Sequence, residues 1–222
     1  MVKKKIENLS CSECGQLHCY RRSKKFPDFC LTEVTDDEQI EATKETYRGE
    51  SQDALVAKAA AEVEGLYYCK ISRVEEIVAF AKRIAATRIG IASCLGLIEE
   101  TKIFTKVLRA AGLEPFTVLC KVGSVDKCDI GIPDNLKIQC GSFEACCNPI
   151  LQAQLLNQQK TQLNVIMGLC VGHDSLFTKY SDALVTTLVT KDRTTGHNPA
   201  VALYTANSYS KHILDPEHLK KL

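Results

Sequence analysis

The stretch Leu163-Asn-Val-Ile-Met-Gly-Leu-Cys170-Val-Gly-His173 decides the fold of this chain. It opens with a short apolar run, and a helical pattern follows over residues 173–180. Apolar runs of this length that are buried on both faces and alternate with helices are typical of parallel sheets. The stretch therefore predicts one strand of such a sheet and the helix that leaves it.

The same alternation extends outward in both directions from this stretch. The other predicted strands are 88–93, 116–120 and 183–190, and the other predicted helices are 99–111, 148–159 and 199–206. Crossovers between parallel strands are right-handed, so the helices have to cover both faces. We predict an α/β fold with an open, doubly wound, mainly parallel sheet of about four strands.

Two further regions precede this sheet, so three parts are predicted. Residues 1–34 form a cysteine-rich, metal-binding segment, and residues 35–87 form a helical layer. In that layer Gly49 ends one helix, and Leu55, Ala59 and Val63 recur at helical spacing in the next. Residues 88–222 make up the α/β domain.

Charge and hydropathy exclude several classes of protein. The 28 basic and 27 acidic residues give a net charge of +1, whereas a nucleic-acid or membrane-surface protein carries a basic excess. No apolar run reaches the roughly 18–20 residues that cross a bilayer. Lys3, Lys4 and Lys5 are not followed by the apolar stretch of a signal peptide, so we expect a cytoplasmic protein.

The chain carries twelve cysteines. A disulfide framework is typical of short secreted chains with little regular core, and neither property fits this sequence. Reduced cysteines in a cytoplasmic protein need another use, and their spacing indicates which.

The first group is Cys11-x2-Cys14-x4-Cys19-x10-Cys30. Two cysteines separated by two residues can bind one metal from a single tight loop. A segment with so little apolar core needs the folding energy that a metal supplies. Zinc fits, with His18 as a substitute ligand, and a 4Fe-4S iron–sulfur cluster fits equally well. A CxxC redox pair is the third interpretation.

A second group of cysteines follows the predicted strands. Cys94, Cys120 and Cys170 come at the carboxyl ends of three strands, which open onto one edge of a parallel sheet. Cys147 precedes a helix start and is the predicted fourth ligand of a second metal site. Cys128, Cys140 or Cys146 could replace it, and the alternative is that all of these are buried apolar residues.

Charged and polar residues are predicted to flank the second site. Lys121, Lys191 and Arg193 offset the negative charge of thiolates and bind a small anionic ligand. His173 and His197 are placed to donate hydrogen bonds to sulfur. His197 and Asn198 are also predicted to bind the ligand. In the simpler alternative, residues 191–193 are a solvated loop and Asn198 is only a helix cap.

Cys170 and His173 also admit a catalytic interpretation. They could form a nucleophile–base pair with Asp174 as the orienting group. That arrangement also needs an oxyanion hole, which sequence does not reveal.

The C-terminal half resembles a family of uncharacterised prokaryotic proteins. The resemblance is carried by Gly168-Leu-Cys-Val-Gly-His-Asp-Ser-Leu-Phe177, with Cys147-Asn-Pro149 before it and Lys191-Asp-Arg193 and His197-Asn-Pro199 after it. That family is labelled a predicted metal-binding domain of unknown function. The N-terminal cysteines fit it too, so the resemblance spans nearly the whole chain. It implies metal binding and offers no reaction or substrate.

These patterns together predict a cytoplasmic metalloprotein with two cysteine-ligated centres. The N-terminal centre is zinc or a cluster, and the sheet-edge centre is an iron–sulfur cluster that serves electron transfer or redox chemistry with a redox partner protein or a small anionic ligand. The alternatives are a zinc-binding, metal-handling or sensing protein, and a cysteine-nucleophile enzyme. No glycine-rich nucleotide fingerprint is present, so we expect no nucleotide cofactor.

Overall fold

A computed structural model describes residues 10–21 and 25–222 of the chain. The lysines at positions 3–5, on which the expectation of no signal peptide depends, lie outside the described residues, as does the start of the cysteine-rich segment. In the described part of the chain, no helix is long and apolar enough to cross a membrane.

The described residues form ten α-helices, four strands and five short 3-10 helices. The α-helices are α1 (His18–Arg21), α2 (Leu31–Val34), α3 (Asp37–Arg48), α4 (Gln52–Tyr67), α5 (Arg73–Arg83), α6 (Ile98–Ala110), α7 (Pro149–Gln158), α8 (His173–Tyr180), α9 (Ala200–Tyr204) and α10 (Pro216–Leu219). The strands are β1 (Arg88–Ser93), β2 (Glu114–Leu119), β3 (Leu163–Met167) and β4 (Leu184–Val189). The 3-10 helices are Cys11–Glu13, Leu95–Leu97, Lys127–Ile130, Asp134–Leu136 and Lys211–Leu214.

The four strands form one parallel sheet in the order β2-β1-β3-β4. Ser93 of β1 pairs with Leu119 of β2 and with Met167 of β3, so these three strands end level with one another. The predicted α/β class, the strand number and the parallel direction are confirmed.

Helices cover both faces of the sheet. Strand side chains alternate between the faces, so apolar strands carry apolar side chains on both of them. Ile89 and Ile91 of β1 pack on the side where α5 and α6 contribute Ile77 and Phe104. Ala92 of β1 points to the opposite side, into a second cluster. The α7 and α8 members of that cluster are Ala153, Leu156 and Phe177. The sheet is therefore doubly wound.

The described residues cluster into two compact units, one that ends at residue 62 and one over residues 63–222. The three predicted parts, 1–34, 35–87 and 88–222, remain a prediction. Helix α5, predicted as part of a separate helical layer, packs on the sheet through Ile77 and Ala81. It begins with a capping box between Ser72 and Glu75. Sequence periodicity locates such a helix but does not show what its apolar face packs against.

Gly90 allows a close approach inside the sheet. A Cβ there would lie 2.0 Å from Asn164 Oδ1, and Asn164 is fully buried and hydrogen-bonded to Thr161 and Ser181. We expect Gly90→Ala to lower the free energy of unfolding by about 2–4 kcal/mol, since it overpacks the sheet and breaks a buried hydrogen bond. Denaturant unfolding measures this.

Gly65→Ala is the matched control for Gly90→Ala. No atom lies within 4 Å of its added Cβ, and Gly65 lies inside helix α4. We expect it to leave the stability unchanged or to raise it by up to about 1 kcal/mol, because alanine favours a helix. Equal unfolding midpoints for the two variants would contradict this packing.

Candidate functional site

The carboxyl edge of the sheet is formed by loops that are tied to one another. Cys94 follows β1, and its amide donates to the carbonyl of Met167 at the end of β3 (3.0 Å). The Cys120 amide donates to the Ser93 carbonyl (2.8 Å), and the Asn148 amide donates to the Cys120 carbonyl (2.7 Å). In the order β2-β1-β3-β4, the connection that follows β1 leads to one side of the sheet and the connection that follows β3 leads to the other. A ligand crevice is expected between β1 and β3, where this direction changes.

Three cysteines meet at this edge. Cys120 is 2% exposed, and its side chain hydrogen-bonds with the side chains of Cys94 and Cys147, which are both half-buried. We call Cys94, Cys120 and Cys147 the cysteine triad. Cys147, the predicted fourth ligand, lies in the triad because α7 begins at this edge.

The triad holds two sulfurs as thiolates at neutral pH. Hydrogen bonding with Cys120 lowers the pKa of Cys94 to about 5, with support from the Gly96 amide and Lys191. Hydrogen bonding with Cys120 likewise lowers the pKa of Cys147 to about 5. The pKa of Cys120 is raised, first by Cys147, then by Cys94 and by burial. Cys120 therefore stays protonated between two thiolates.

Cations that the sequence predicted lie beside these sulfurs. Lys191 interacts with Cys94, and Lys121 interacts with Cys147. The Lys121 ammonium also donates to the carbonyl of Ala145, which fixes its position. A cation near each thiolate stabilises its charge in a half-buried setting.

Cys170 lies apart from the hydrogen bonds of the triad. Arg193 Nη2 donates to Cys170 Sγ at 3.3 Å, and this contact raises the pKa of Arg193. The Cys94 and Cys147 sulfurs also lie close enough to Arg193 for their charge to raise its pKa. Arg193 therefore links Cys170 electrostatically to the triad.

The remaining predicted residues fall in two places. His173 opens α8 at the same edge and interacts electrostatically with Cys147. Asp174 accepts a hydrogen bond from the Ser175 amide. His197 closes the turn after β4, where its Nδ1 accepts from the Asp192 amide (3.1 Å), and Asn198 lies in the same turn.

A catalytic triad is not assembled at Cys170. The His173 and Asp174 amides donate to the Cys170 carbonyl, but within residues 10–21 and 25–222 no side-chain hydrogen bond joins Cys170 to His173 or His173 to Asp174. The Cys170 sulfur contacts Arg193 instead. The geometry gives less support to the nucleophile alternative than to a thiolate cluster.

Two of the other three candidate ligands, Cys128 and Cys140, have partners outside the triad. The Cys140 thiol donates to Asp134 Oδ2 (3.0 Å), and Cys128 hydrogen-bonds with Lys137. Cys146 is 7% exposed beside Cys147. Of the four candidates for the fourth position, Cys147 is the one whose side chain hydrogen-bonds with Cys120 and shifts its pKa.

Sequence reasoning missed Gln152, a residue of α7 that hydrogen-bonds to the ends of two strands at this edge. It is fully buried, and its Nε2 donates to the carbonyls of Val118 (2.7 Å) and Ser93 (3.3 Å), at the ends of β2 and β1. Its Oε1 is buried without a partner. A glutamine in the helix Pro149–Gln158 is indistinguishable in sequence from one on a solvated face, so no signal pointed to it.

The four N-terminal cysteines lie together in the first unit. Cys11, Cys14, Cys19 and Cys30 all line one cavity of about 60 Å³. The amides of Leu17 and Gln16 donate to the Cys14 sulfur and lower the pKa of that thiol. His18 Nδ1 donates to the Lys25 carbonyl, and His18 does not line the cavity.

Neither cysteine group has the final geometry of a metal site. Across the residues that the structure describes, no set of three or more His, Cys, Asp or Glu side chains is arranged so that it could hold a metal ion. Metal binding at either place therefore needs side-chain rotation, and at the triad it needs the loss of the Cys120 proton.

The thiolates predict an unusual pH profile for alkylation. We expect the rates of reaction of Cys94 and Cys147 with iodoacetamide to rise through about pH 5, because the thiolate is the reactive form and exists above its pKa. Cys120→Ala removes the hydrogen bond, so both midpoints should move up towards the ordinary thiol range. Mass spectrometry of each peptide against pH measures this, and identical profiles with and without Cys120 would contradict it.

Comparisons with known proteins point to one family. Residues 30–188, more than half of the chain, match the family described as protein of unknown function (DUF1847). A relative named Uncharacterized protein MJ0455, from Methanocaldococcus jannaschii, is 41% identical over 207 residues. That alignment covers 93% of this chain and 99% of the relative. No solved structure matches the chain.

Proposed function

The chain belongs to the family described as protein of unknown function (DUF1847), and we propose that its cysteine triad reversibly binds a single soft divalent cation of the zinc class. Membership of an uncharacterised family is what the sequence resemblance predicted. The observation that carries this proposal is the contact of Cys120 with both Cys94 and Cys147 at the sheet edge. Thiolate is the ligand form that such a cation requires.

The close contact of the sulfurs favours one ion over a cluster. Zinc–sulfur bonds of about 2.3 Å place two sulfurs of a tetrahedral site roughly 3.8 Å apart, which is close to hydrogen-bonding contact. In a 4Fe-4S cluster each cysteine binds a different iron, so the sulfurs are more widely separated. The predicted 4Fe-4S cluster, electron transfer and a redox partner protein remain predictions.

The triad is suited to binding and releasing the metal ion. Two of its sulfurs are already deprotonated, so binding releases one proton from Cys120 and rotates thiol side chains around the ion. Cys170 becomes the fourth ligand if it leaves Arg193, and otherwise the fourth position stays open. A site that has to rearrange and still offers an open position suits metal handling, sensing or catalysis better than a purely structural role.

The N-terminal cysteines support a second, structural ion in the proposal. Four sulfurs line one cavity, and two backbone amides stabilise a thiolate at Cys14. No described residue between 10 and 34 is buried, so the segment has little apolar core of its own. A structural zinc supplies the folding energy that such segments lack.

A cobalt titration tests the triad separately from the N-terminal cysteines. Reduced, metal-free protein carrying Cys11→Ser and Cys14→Ser is titrated with Co²⁺, and the visible bands of tetrahedral cobalt–thiolate coordination are followed. We expect one equivalent to bind and to block alkylation of Cys94 and Cys147. Absence of the bands, with both cysteines still reactive, would overturn the proposal.

A further inference from the structure

A cleft beside the triad has a wall that the sequence did not predict. It encloses about 490 Å³, a volume in the range of small-molecule sites. The lining includes Cys147 and Cys170 at the sheet edge and residues from the segment 127–144. This segment, which we call the wall of the cleft, follows β2 and lies outside the helix–strand alternation of the domain.

The wall is held by a buried lysine. The Lys137 side chain is 4% exposed and pairs with Asp126 (2.9 Å) and Asp134 (3.3 Å). Its ammonium also donates to the Ser142 carbonyl (2.9 Å). An antiparallel bridge between Asp126 and Ala145 closes the base of the segment. Breaking a buried ion pair is costly, so these contacts fix the wall in one conformation.

The two sides of the cleft differ in chemistry. The wall presents aliphatic side chains, namely Ile130, Ile132, Leu136 and Ile138. Three of these are strongly exposed: Ile130 at 57%, Leu136 at 65% and Ile138 at 86%. The opposite side presents Lys121, His173 and Arg193. Exposed aliphatic side chains grouped around a cavity are a feature of ligand sites, since single scattered ones need no explanation.

Three cations lie at this edge of the sheet. Lys121 and Arg193 line the cleft, and Lys191 lies beside Gly96 and Cys94. In residues 10–21 and 25–222, none of these three cations pairs with a carboxylate. Lys127 differs, because it pairs with Glu144 (2.5 Å). A positive site with an apolar wall selects for an anion that carries an apolar body.

We propose that the cleft binds a small organic oxyanion, a carboxylate or a phosphate ester, whose charged group pairs with Arg193 and Lys121 and whose apolar body packs on Ile130, Leu136 and Ile138. One guanidinium N–H binds Cys170, and the planar fork has further donors for two oxygens. The ligand lies beside Cys147, within reach of the proposed metal. The inference therefore deepens the proposed function, and it rests on that proposal only for the metal.

Calorimetric titration with four simple probes and hexanol tests the ligand class. The probes are hexanoate, hexyl phosphate, acetate and inorganic phosphate, each added to metal-free and to zinc-loaded protein. We expect a hexyl anion to bind at least tenfold more tightly than its short counterpart and than hexanol. Whichever hexyl anion binds more tightly identifies the oxyanion. Equal binding of long and short anions, or no binding of any probe, would overturn the inference.

Paired variants connect the binding to the two sides of the cleft. We expect Arg193→Gln to reduce the affinity for the hexyl anion to that for hexanol, and Leu136→Ser to weaken it about tenfold. The exposed Arg109 on α6 and Leu203 on α9 supply the controls Arg109→Gln and Leu203→Ser, which should leave binding unchanged. Unaltered binding in Arg193→Gln would also overturn the inference.

The two proposals fail in different ways in this experiment. If the metal-free protein binds the hexyl anion and zinc does not bind, the metal proposal is wrong and the cleft assignment stands. If zinc binds and no probe does, the cleft assignment is wrong and the metal proposal stands.

Discussion

Cys120→Ser should weaken zinc binding at the sheet edge by about a hundredfold to a thousandfold. Structural zinc binds zinc-finger peptides with about 10–16 kcal/mol, or roughly 3–4 kcal/mol for each ligand, and each 1.4 kcal/mol is a factor of ten. Cys120 also shares its proton with both neighbours, so the substitution changes the whole triad. Competition with a chromophoric chelator measures the affinity, in protein whose N-terminal site is silenced by Cys11→Ser and Cys14→Ser.

The control for this variant is Cys69→Ser. Cys69 is exposed, follows helix α4 in the chain and belongs to neither cysteine group. The Cys69→Ser variant should bind zinc at the sheet edge with the same affinity as the parent protein. Equal zinc affinities of the Cys120→Ser and Cys69→Ser variants would show that the triad does not bind the zinc.

Removing the metal from the N-terminal cysteines should expose residues 10–34 to protease while the second unit, residues 63–222, stays folded. The cavity among these cysteines has no buried side chain around it in the described segment, so no apolar core replaces the metal. We expect trypsin to cleave near Arg21 and Lys25 at least tenfold faster in chelator. Limited proteolysis followed by mass spectrometry measures this.

Cys14→Ser should reproduce the effect of the chelator without it, because Cys14 is the thiol that the Leu17 and Gln16 amides stabilise. Cys69→Ser again serves as the control and should be cleaved slowly. If chelator and Cys14→Ser both leave the segment resistant, the N-terminal ion is not structural.

The sequence located the sheet edge because strand ends leave a clear pattern. The run over 88–93 was predicted as a strand and is β1, and Cys94 and Cys120 follow strands as expected. Parallel strands place such residues at one edge whatever the details of packing. The helix start at Asn148, whose side chain caps the Leu151 amide, placed Cys147 there as well.

Other parts of the site leave no periodic pattern in sequence. Residues 127–144 are neither strand nor long helix, and their position depends on Lys137 reaching Asp126 and Asp134. The prediction that Cys170 joins Cys94, Cys120 and Cys147 in one site also missed the hydrogen bond that Arg193 donates to Cys170. These features depend on side-chain contacts between distant residues, and spacing along the chain carries no information about them.

Two of the predicted ligand-binding residues show the same limit. His197 and Asn198 are predicted to bind the ligand together with Arg193. In the structure His197 bonds the backbone of Asp192, which closes its own turn, whereas Arg193 extends to Cys170. Neighbours in a loop after a strand can point in different directions, and periodicity does not apply there.

The metal and sulfide content of protein purified without oxygen tests the central claim most directly. The account predicts two zinc ions per chain and no acid-labile sulfide, with one zinc lost in Cys120→Ser and neither lost in Cys69→Ser. Iron with sulfide that disappears in Cys120→Ser would contradict the single-ion site and favour the cluster. Metal-free protein with twelve free thiols would contradict metal binding at both cysteine groups.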